Sequence, residues 1–188
     1  SGMTLGPAEF WSGPLPAGGA PPDSTNCAAH DRIWDVSRED VERFRQFGEI
    51  EQDLKEWPAA LGAPVLDGDG DPTNYNLAGG DIPEVLGDQA LWWVMNDRGN
   101  RHVTTASRPL GLEVHGTVCA FGGAGAIANS TFYRYRVRYA GVETSSATYN
   151  GVFVDPDLGD ASDDSVAADT TLDMGFAYNS REQDSDYG

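Results

Sequence analysis

Along residues 131–139, "TFYRYRVRY", apolar and charged side chains alternate: Tyr133, Tyr135, Val137 and Tyr139 fall on one side of an extended chain, Phe132, Arg134, Arg136 and Arg138 on the other. A period of two over that length predicts a strand. We expect the tyrosine side to be the half-buried face and the arginine row to be solvated, paired with acids of a neighbouring strand. "ALWWVMND" (90–97) is a short apolar run closed by a turn signal, and "LGLEVHGTVCAFG" (110–122) alternates loosely. "ATYNGVFVD" (147–155) and "LDMGFAYN" (172–179) complete the set. Strands this close, with no helical stretch between them, pair antiparallel rather than as βαβ units. The expected fold is mainly β: an antiparallel, jelly-roll-like β-sandwich with a short N-terminal helical segment and long acidic loops.

The helical segment is read from its ends. Ser37 is a good N-cap, Glu39 and Asp40 fall in the first turn, and Val41, Phe44 and Phe47 give an apolar side, so a helix is predicted over 38–47 with a stop at Gly48. A second short turn at 52–55 must end before Pro58. Residues 1–26 hold five prolines and read as an extended arm whose Phe10 and Trp11 dock on the body. Residues 27–188 are expected to form a single β-rich domain.

Charge changes this picture. Twelve Lys and Arg face thirty Asp and Glu, a net charge of −18. That balance argues against nucleic acid and anionic membrane surfaces and favours cations as partners. No run of about eighteen apolar residues spans a bilayer. The acids are also unevenly placed: 155–188 carries ten of them and one base, and no base stands between Lys55 and Arg98 while six acids fall in 67–88.

Two acidic centres therefore need a physical account. In "DGDGDP", Asp67, Asp69 and Asp71 match the first, third and fifth ligand positions of a calcium loop, with glycines between them that permit a sharp turn. Pro72 and Ala78 stand where such a loop would place its glycine and its bidentate acid, so Asp81 or Asp88 would have to close the shell. The alternative is a solvated acidic turn. In "DPDLGDASDD" a strand ending at Val154 delivers Asp155, followed by Asp157, Asp160, Asp163, Asp164 and, beyond, Asp169. Unpaired carboxylates a few Å apart repel by roughly 1 kcal/mol or more each as water is lost. A Ca²⁺ ion would replace that repulsion with about six to eight oxygen contacts; a solvated loop is again the alternative.

"WPAALGAPVLDGDGDP", "GDQALWWVMND" and above all "DPDLGDASDDSVAADTTLDMGFAYN" resemble a segment of large exported proteins of Bacteroidota and related phyla, many of which carry a sorting signal for type IX secretion. The likeness covers most of residues 27–179. It implies an extracellular, multidomain setting in which the chain continues past Gly188, and it assigns no activity.

Catalytic patterns are weak. His30, His102 and His115 are scattered, in no zinc-ligand spacing, and no nucleophile elbow or phosphate loop is present. Cys119 with His115, or Glu113 with Asp97 as a glycosidase couple, are the pairs that would have to act. Trp92 and Trp93 point to opposite sides of a strand, one of them a candidate platform for sugar stacking. Cys27 and Cys119 are candidates for one disulfide, against two free thiols. The leading expectation is a secreted, calcium-binding, β-rich module with a structural or adhesive role in a larger surface protein. A carbohydrate-binding module using exposed aromatics comes next, then a fragment of a secreted hydrolase.

Overall fold

A computed structural model describes residues 9–144, 146–154, 156–182 and 186. The chain forms two compact units, Ser1–Thr144 and Ser145–Gly188, which divide the span expected as one domain and place the N-terminal arm in the first. Antiparallel strands dominate, 28% of residues against 18% in helices. In chain order the first unit runs β1 (Trp11–Ser12), α1 (Ser24–Ala29), β2 (Trp34–Ser37), α2 (Arg38–Phe47), α3 (Gln52–Lys55), β3 (Val65–Leu66), β4 (Ile82–Pro83), β5 (Gln89–Asn96), β6 (Leu112–Ala120) and β7 (Thr131–Tyr139). The second unit holds β8 (Asp164–Asp169) and β9 (Met174–Asn179).

Strands β5, β6 and β7 pair antiparallel along their lengths. The far edge of β5 is shared by β2, opposite residues 89–92, and by β1, opposite Met95 and Asn96. The arm thus docks through Trp11, as expected. Helix α2 begins and ends where its sequence requires. Ser37 and Asp40 form a reciprocal capping box, and Gly48 closes the helix in the left-handed region at φ 72°. Val41 is buried and Phe44 partly so, but Phe47, the last helical residue, is 70% exposed and takes no part in the core.

Partners across an antiparallel ladder share a face, so the register sorts the sheet. Ala90, Trp92 and Val94 stand with Glu113, His115, Thr117 and Cys119 and with Phe132, Arg134, Arg136 and Arg138. That face is the covered one. Trp34, Val36, Trp92 and Val94 pack there against Val41, Leu54, Trp57, Ala63 and Ile82. Trp92 is fully buried, edge-on to Trp34 at 5.5 Å, and truncating a core tryptophan costs about 3–5 kcal/mol. The opposite face carries Trp93, Val114, Val118 and the tyrosine row, with Tyr133 60% exposed.

Both rows of β7 are exposed: the arginine row is solvated and pairs across to Glu113 of β6, as expected, whereas the tyrosine row is not half-buried. Arg138 and Arg136 turn to the covered side toward Glu113 and His115 of β6, and Arg134 toward Glu84. Their long stems reach over the sheet while their heads stay near water.

In the second unit β8 and β9 form a hairpin with Asp164 opposite Asn179 and Asp169 opposite Met174. Strand β8 lies inside the stretch read as a loop. Conversely, the strand expected over 147–155 is absent at 147–154, where Val152, Phe153 and Val154 are exposed. Only four residues separate β8 from β9, so that ladder closes at small loop entropy.

Candidate metal centre and the adjoining cleft

The two-residue ladder of β3 with β4 closes residues 67–81 into a loop. Its two ends come into backbone contact: a Cβ at Gly68 would lie 2.3 Å from the Gly80 carbonyl, so glycine is required for the approach. The approach brings Asp67, Asp69 and Asp81 together, each offering a carboxylate oxygen within 4.8 Å of the others. Oxygens on opposite sides of a Ca²⁺ shell are about 4.8 Å apart, so this spacing suits that ion. Asp81, rather than Asp88, is the acid that converges with Asp67 and Asp69. It is 1% exposed and accepts the Gly68 amide at 2.9 Å and the Asn76 amide at 2.7 Å. No basic side chain pairs with it among the described residues, although burying an unpaired carboxylate is costly.

The rest of the loop is organised by its own aspartates. Asp67 accepts the amides of Asp69 and Gly70, Asp69 that of Asp71, and Asp71 the amide and hydroxyl of Thr73. Asp71 serves this chain of turns and is not one of the three converging groups. Asp69 Oδ2 also accepts the side-chain amides of Asn76, at 2.9 Å, and Asn74, at 3.3 Å. The Asn76 amide, followed by the Asp71 backbone amide, holds the Asp69 carboxyl below the usual carboxylate range. Asp71 is lowered likewise, chiefly by the Thr73 hydroxyl and amide. Asn74 and Asn76 were not foreseen as part of the site. Their signal was the density of amides in "TNYN", and a turned side-chain amide would present an oxygen to the same centre. Asp88 stands apart, bonded to the Gly122 amide and to Arg38.

The second acidic stretch is arranged differently. Asp155 lies outside the described residues. Asp157 is exposed, and Asp160 accepts the Ser162 amide. Asp163 is 4% exposed, its Oδ1 lacking a hydrogen-bond partner among the described residues, and Asp164 accepts the Leu158 amide through Oδ2. Asp169 caps the hairpin turn, accepting from Thr171 and Leu172. Asp164 and Asp169 stand at opposite ends of β8, about 17 Å apart, so one ion cannot take both. Among the described residues no three acids here converge as Asp67, Asp69 and Asp81 do.

Beside the first loop opens a cleft of about 920 Å³, lined among others by Asp81, Tyr75, His115, Thr117, Arg134 and Arg136. Its far wall rests on a buried network. Glu113 accepts two bonds from Arg138, at 2.9 and 2.7 Å, one from the Leu15 amide and one from His115 Nε2 at 2.8 Å. Arg136 Nη2 meets His115 Nδ1 at 2.7 Å; a guanidinium only donates, so the imidazole carries its proton on Nε2. Burial acts strongly to raise the Glu113 pKa, yet Arg138, His115 and the Leu15 amide together hold it below the usual range. Burial, then Asp81, raises the Tyr75 phenol, whose hydroxyl donates to the Leu54 carbonyl at 2.6 Å.

The catalytic pairings do not assemble. Glu113 is committed to Arg138, while Asp97 accepts the amides of Leu110, Gly111 and Leu112, so neither carboxylate is available as half of a glycosidase couple. Cys119 sits opposite Ala90 and Phe132 in the ladder, and His115 bonds Glu113 and Arg136 instead. Trp92 is core and offers no sugar platform; Trp93, on the other face, lies over Gly116 and edge-on to Tyr135 at 6.1 Å. Cys27 and Cys119 are free thiols. Helix α1, which carries Cys27, packs at β1 near Met95, whereas Cys119 pairs with Ala90, about 17 Å along β5 and too far for a bridge.

Compared with known proteins, the chain matches no family model, no curated sequence and no solved structure. Among the described residues no helix is long and apolar enough to cross a membrane.

Proposed function

We propose that the chain is a calcium-binding, β-rich module of a secreted or cell-surface protein, with a structural or adhesive role. The observation that carries this reading is Asp81. A buried carboxylate with two amide donors and no basic partner among the described residues has an oxygen within 4.8 Å of those of Asp67 and Asp69, an oxygen-only set suited to a hard cation. The exported setting rests on the resemblance of the acidic segments alone. A metal that binds only the folded chain stabilises it by about 2.7 kcal/mol at a hundredfold excess over Kd. Calcium added to chelated protein should raise Tm by several degrees, magnesium by less, and Asp69→Asn should remove the response. An unchanged Tm at saturating calcium would overturn the reading.

A second reading, glycan binding on the open sheet face, is favoured by the exposed Tyr133 and Tyr135 rings, parallel within 15° at 6.4 Å, beside Trp93. A second sheet on that face, as in the jelly-roll-like sandwich expected from sequence, would exclude it. Neutral-glycan binding lost in Trp93→Ala would favour the glycan.

A further inference from the structure

Arg134 and Arg136 line the wall of the cleft facing the acidic loop, with Arg138 next to them on the same face of β7, and the three are not equivalent. Arg138 is matched by Glu113 at 2.7 Å and Arg134 by Glu84 at 3.1 Å. Arg136 has no carboxylate within ion-pair distance among the described residues. Only its Nη2 is engaged, with the Gly62 carbonyl at 3.0 Å and His115 Nδ1 at 2.7 Å. Its Nε and Nη1 have no hydrogen-bond partner among the described residues. Those two contacts fix the guanidinium instead of neutralising it.

The support behind Arg136 is rigid. His115 is held by Glu113, itself clamped by Arg138 and the Leu15 amide, all on the buried side of β6. Gly62 lies in the left-handed region at φ 98°, and a Cβ there would fall 2.1 Å from Arg136 Nη2 and 2.9 Å from His115 Cε1. Any other residue at 62 would push the arginine from its place.

We propose that this cleft binds a small carboxylate-bearing ligand, its carboxylate on Arg136 and its hydroxyl or amide groups toward Thr73, Asn74 and Thr117. A planar guanidinium with free donors is complementary to an oxyanion. The volume of about 920 Å³ falls within the range of small-molecule sites and holds a disaccharide or a short peptide end. The lining carries four carboxylates (Asp67, Asp71, Asp81, Glu84) against two guanidinium groups, a net −2 that opposes a phosphate or sulfate dianion more strongly than a single carboxylate. Resting here on the calcium reading above, a bound Ca²⁺ would bring that lining to zero, so carboxylate affinity rises with calcium.

Isothermal titration tests this, with galacturonate and its methyl ester, and a tripeptide and its C-terminal amide, in calcium buffer and in chelator. One or both free acids should bind saturably, with the ester and amide at least about tenfold weaker, the loss of a charged hydrogen bond. Which acid binds tells a uronate from a peptide terminus. Arg136→Gln should lose about tenfold or more. Arg136→Lys, which keeps charge without the fork, should fall between, and Arg101→Gln, on an exposed turn outside the cleft, should match wild type. Melting curves establish that each variant is folded. The proposal is overturned if neither acid binds, if ester or amide binds as tightly as its acid, or if folded Arg136→Gln and Arg136→Lys both bind like wild type. Calcium titrated without any acid separates the two readings. Acid binding without calcium binding sinks the metal reading and leaves this one; calcium binding with no acid bound sinks this one alone.

Discussion

The two acidic stretches start from similar chemistry and end in different geometry. "DGDGD" at 67–71 is bracketed by the β3–β4 ladder, and its glycines allow the backbone to curl until Asp81 meets Asp67 and Asp69. "DPDLGDASDD" at 155–164 is richer in aspartate, yet the apolar residues that follow draw Asp164 into a hairpin and leave Asp169 at its other end. Density of charge does not make a site. Convergence needs turns between the acids and a ladder that closes the loop. In the second stretch Asp160, Asp164 and Asp169 act singly, each accepting a backbone amide nearby in the chain.

The largest expected difference between the regions is at Asp81. Asp81→Ala leaves the buried amides of Gly68 and Asn76 without acceptors, at about 1–3 kcal/mol for each unsatisfied group. Urea unfolding in chelator, followed by the fluorescence of the buried Trp34, Trp57 and Trp92, should show a loss of about 2–4 kcal/mol. Asp169→Ala, which removes an exposed turn cap, should move the same transition by less than about 1 kcal/mol. Equal losses would break the distinction, since Asp81 would then be one more surface turn.

Acid sharpens it further. Asp69 is lowered below the ordinary carboxylate range, first by the Asn76 amide and then by that of Asp71. A depressed folded pKa contributes stability that is fully present above the unfolded value, about 3.9 for Asp, and is lost as pH falls through the folded pKa. The loop should therefore keep Asp69 ionised, and so keep a calcium response, somewhat below pH 4, with the response falling as pH drops further. Asn76→Ala should shift that fall to higher pH. Calcium-dependent melting across the acid range measures both, and an Asn76→Ala profile that overlays wild type would remove the amide from the account.

How much of this was legible follows from how local each cause is. Helix α2 was readable to the residue because Ser37, Asp40 and Gly48 act within a turn of its ends. Strand β7 and its solvated, acid-paired arginine row were readable from its alternation, but the exposure of its tyrosine face was not, because that depends on what covers the sheet. The pairing of Glu113 and His115 with Arg138 and Arg136 held the clue, two acceptors spaced by two opposite two donors spaced by two. The short β1 and β2 exist only through β5 and have no periodicity to read. That Asp81 closes the loop depends on a ladder of two residues on each side, too brief to see in the chain. Strand β8 was hidden by its aspartates, which drew the eye to the charge and away from Val166, Ala167 and Ala168.

The smallest effect is expected at Asp157, and it tests the comparison from the other side. Asp157 is exposed, and exposed substitutions away from special features stay within about 0.5 kcal/mol. It sits in a segment of ten acids and one base, so Asp157→Asn removes a little repulsion. A slight gain in Tm at low salt should therefore appear and vanish at about 0.5 M NaCl, where the Debye length is only a few Å. The calcium response should be unchanged, because Asp157 is not among the converging carboxylates, whereas Asp67→Asn in the first loop should weaken it. If Asp157→Asn cuts the calcium response as deeply as Asp67→Asn, then charge density alone binds the ion. The convergence at Asp81 would then lose its meaning as a metal centre.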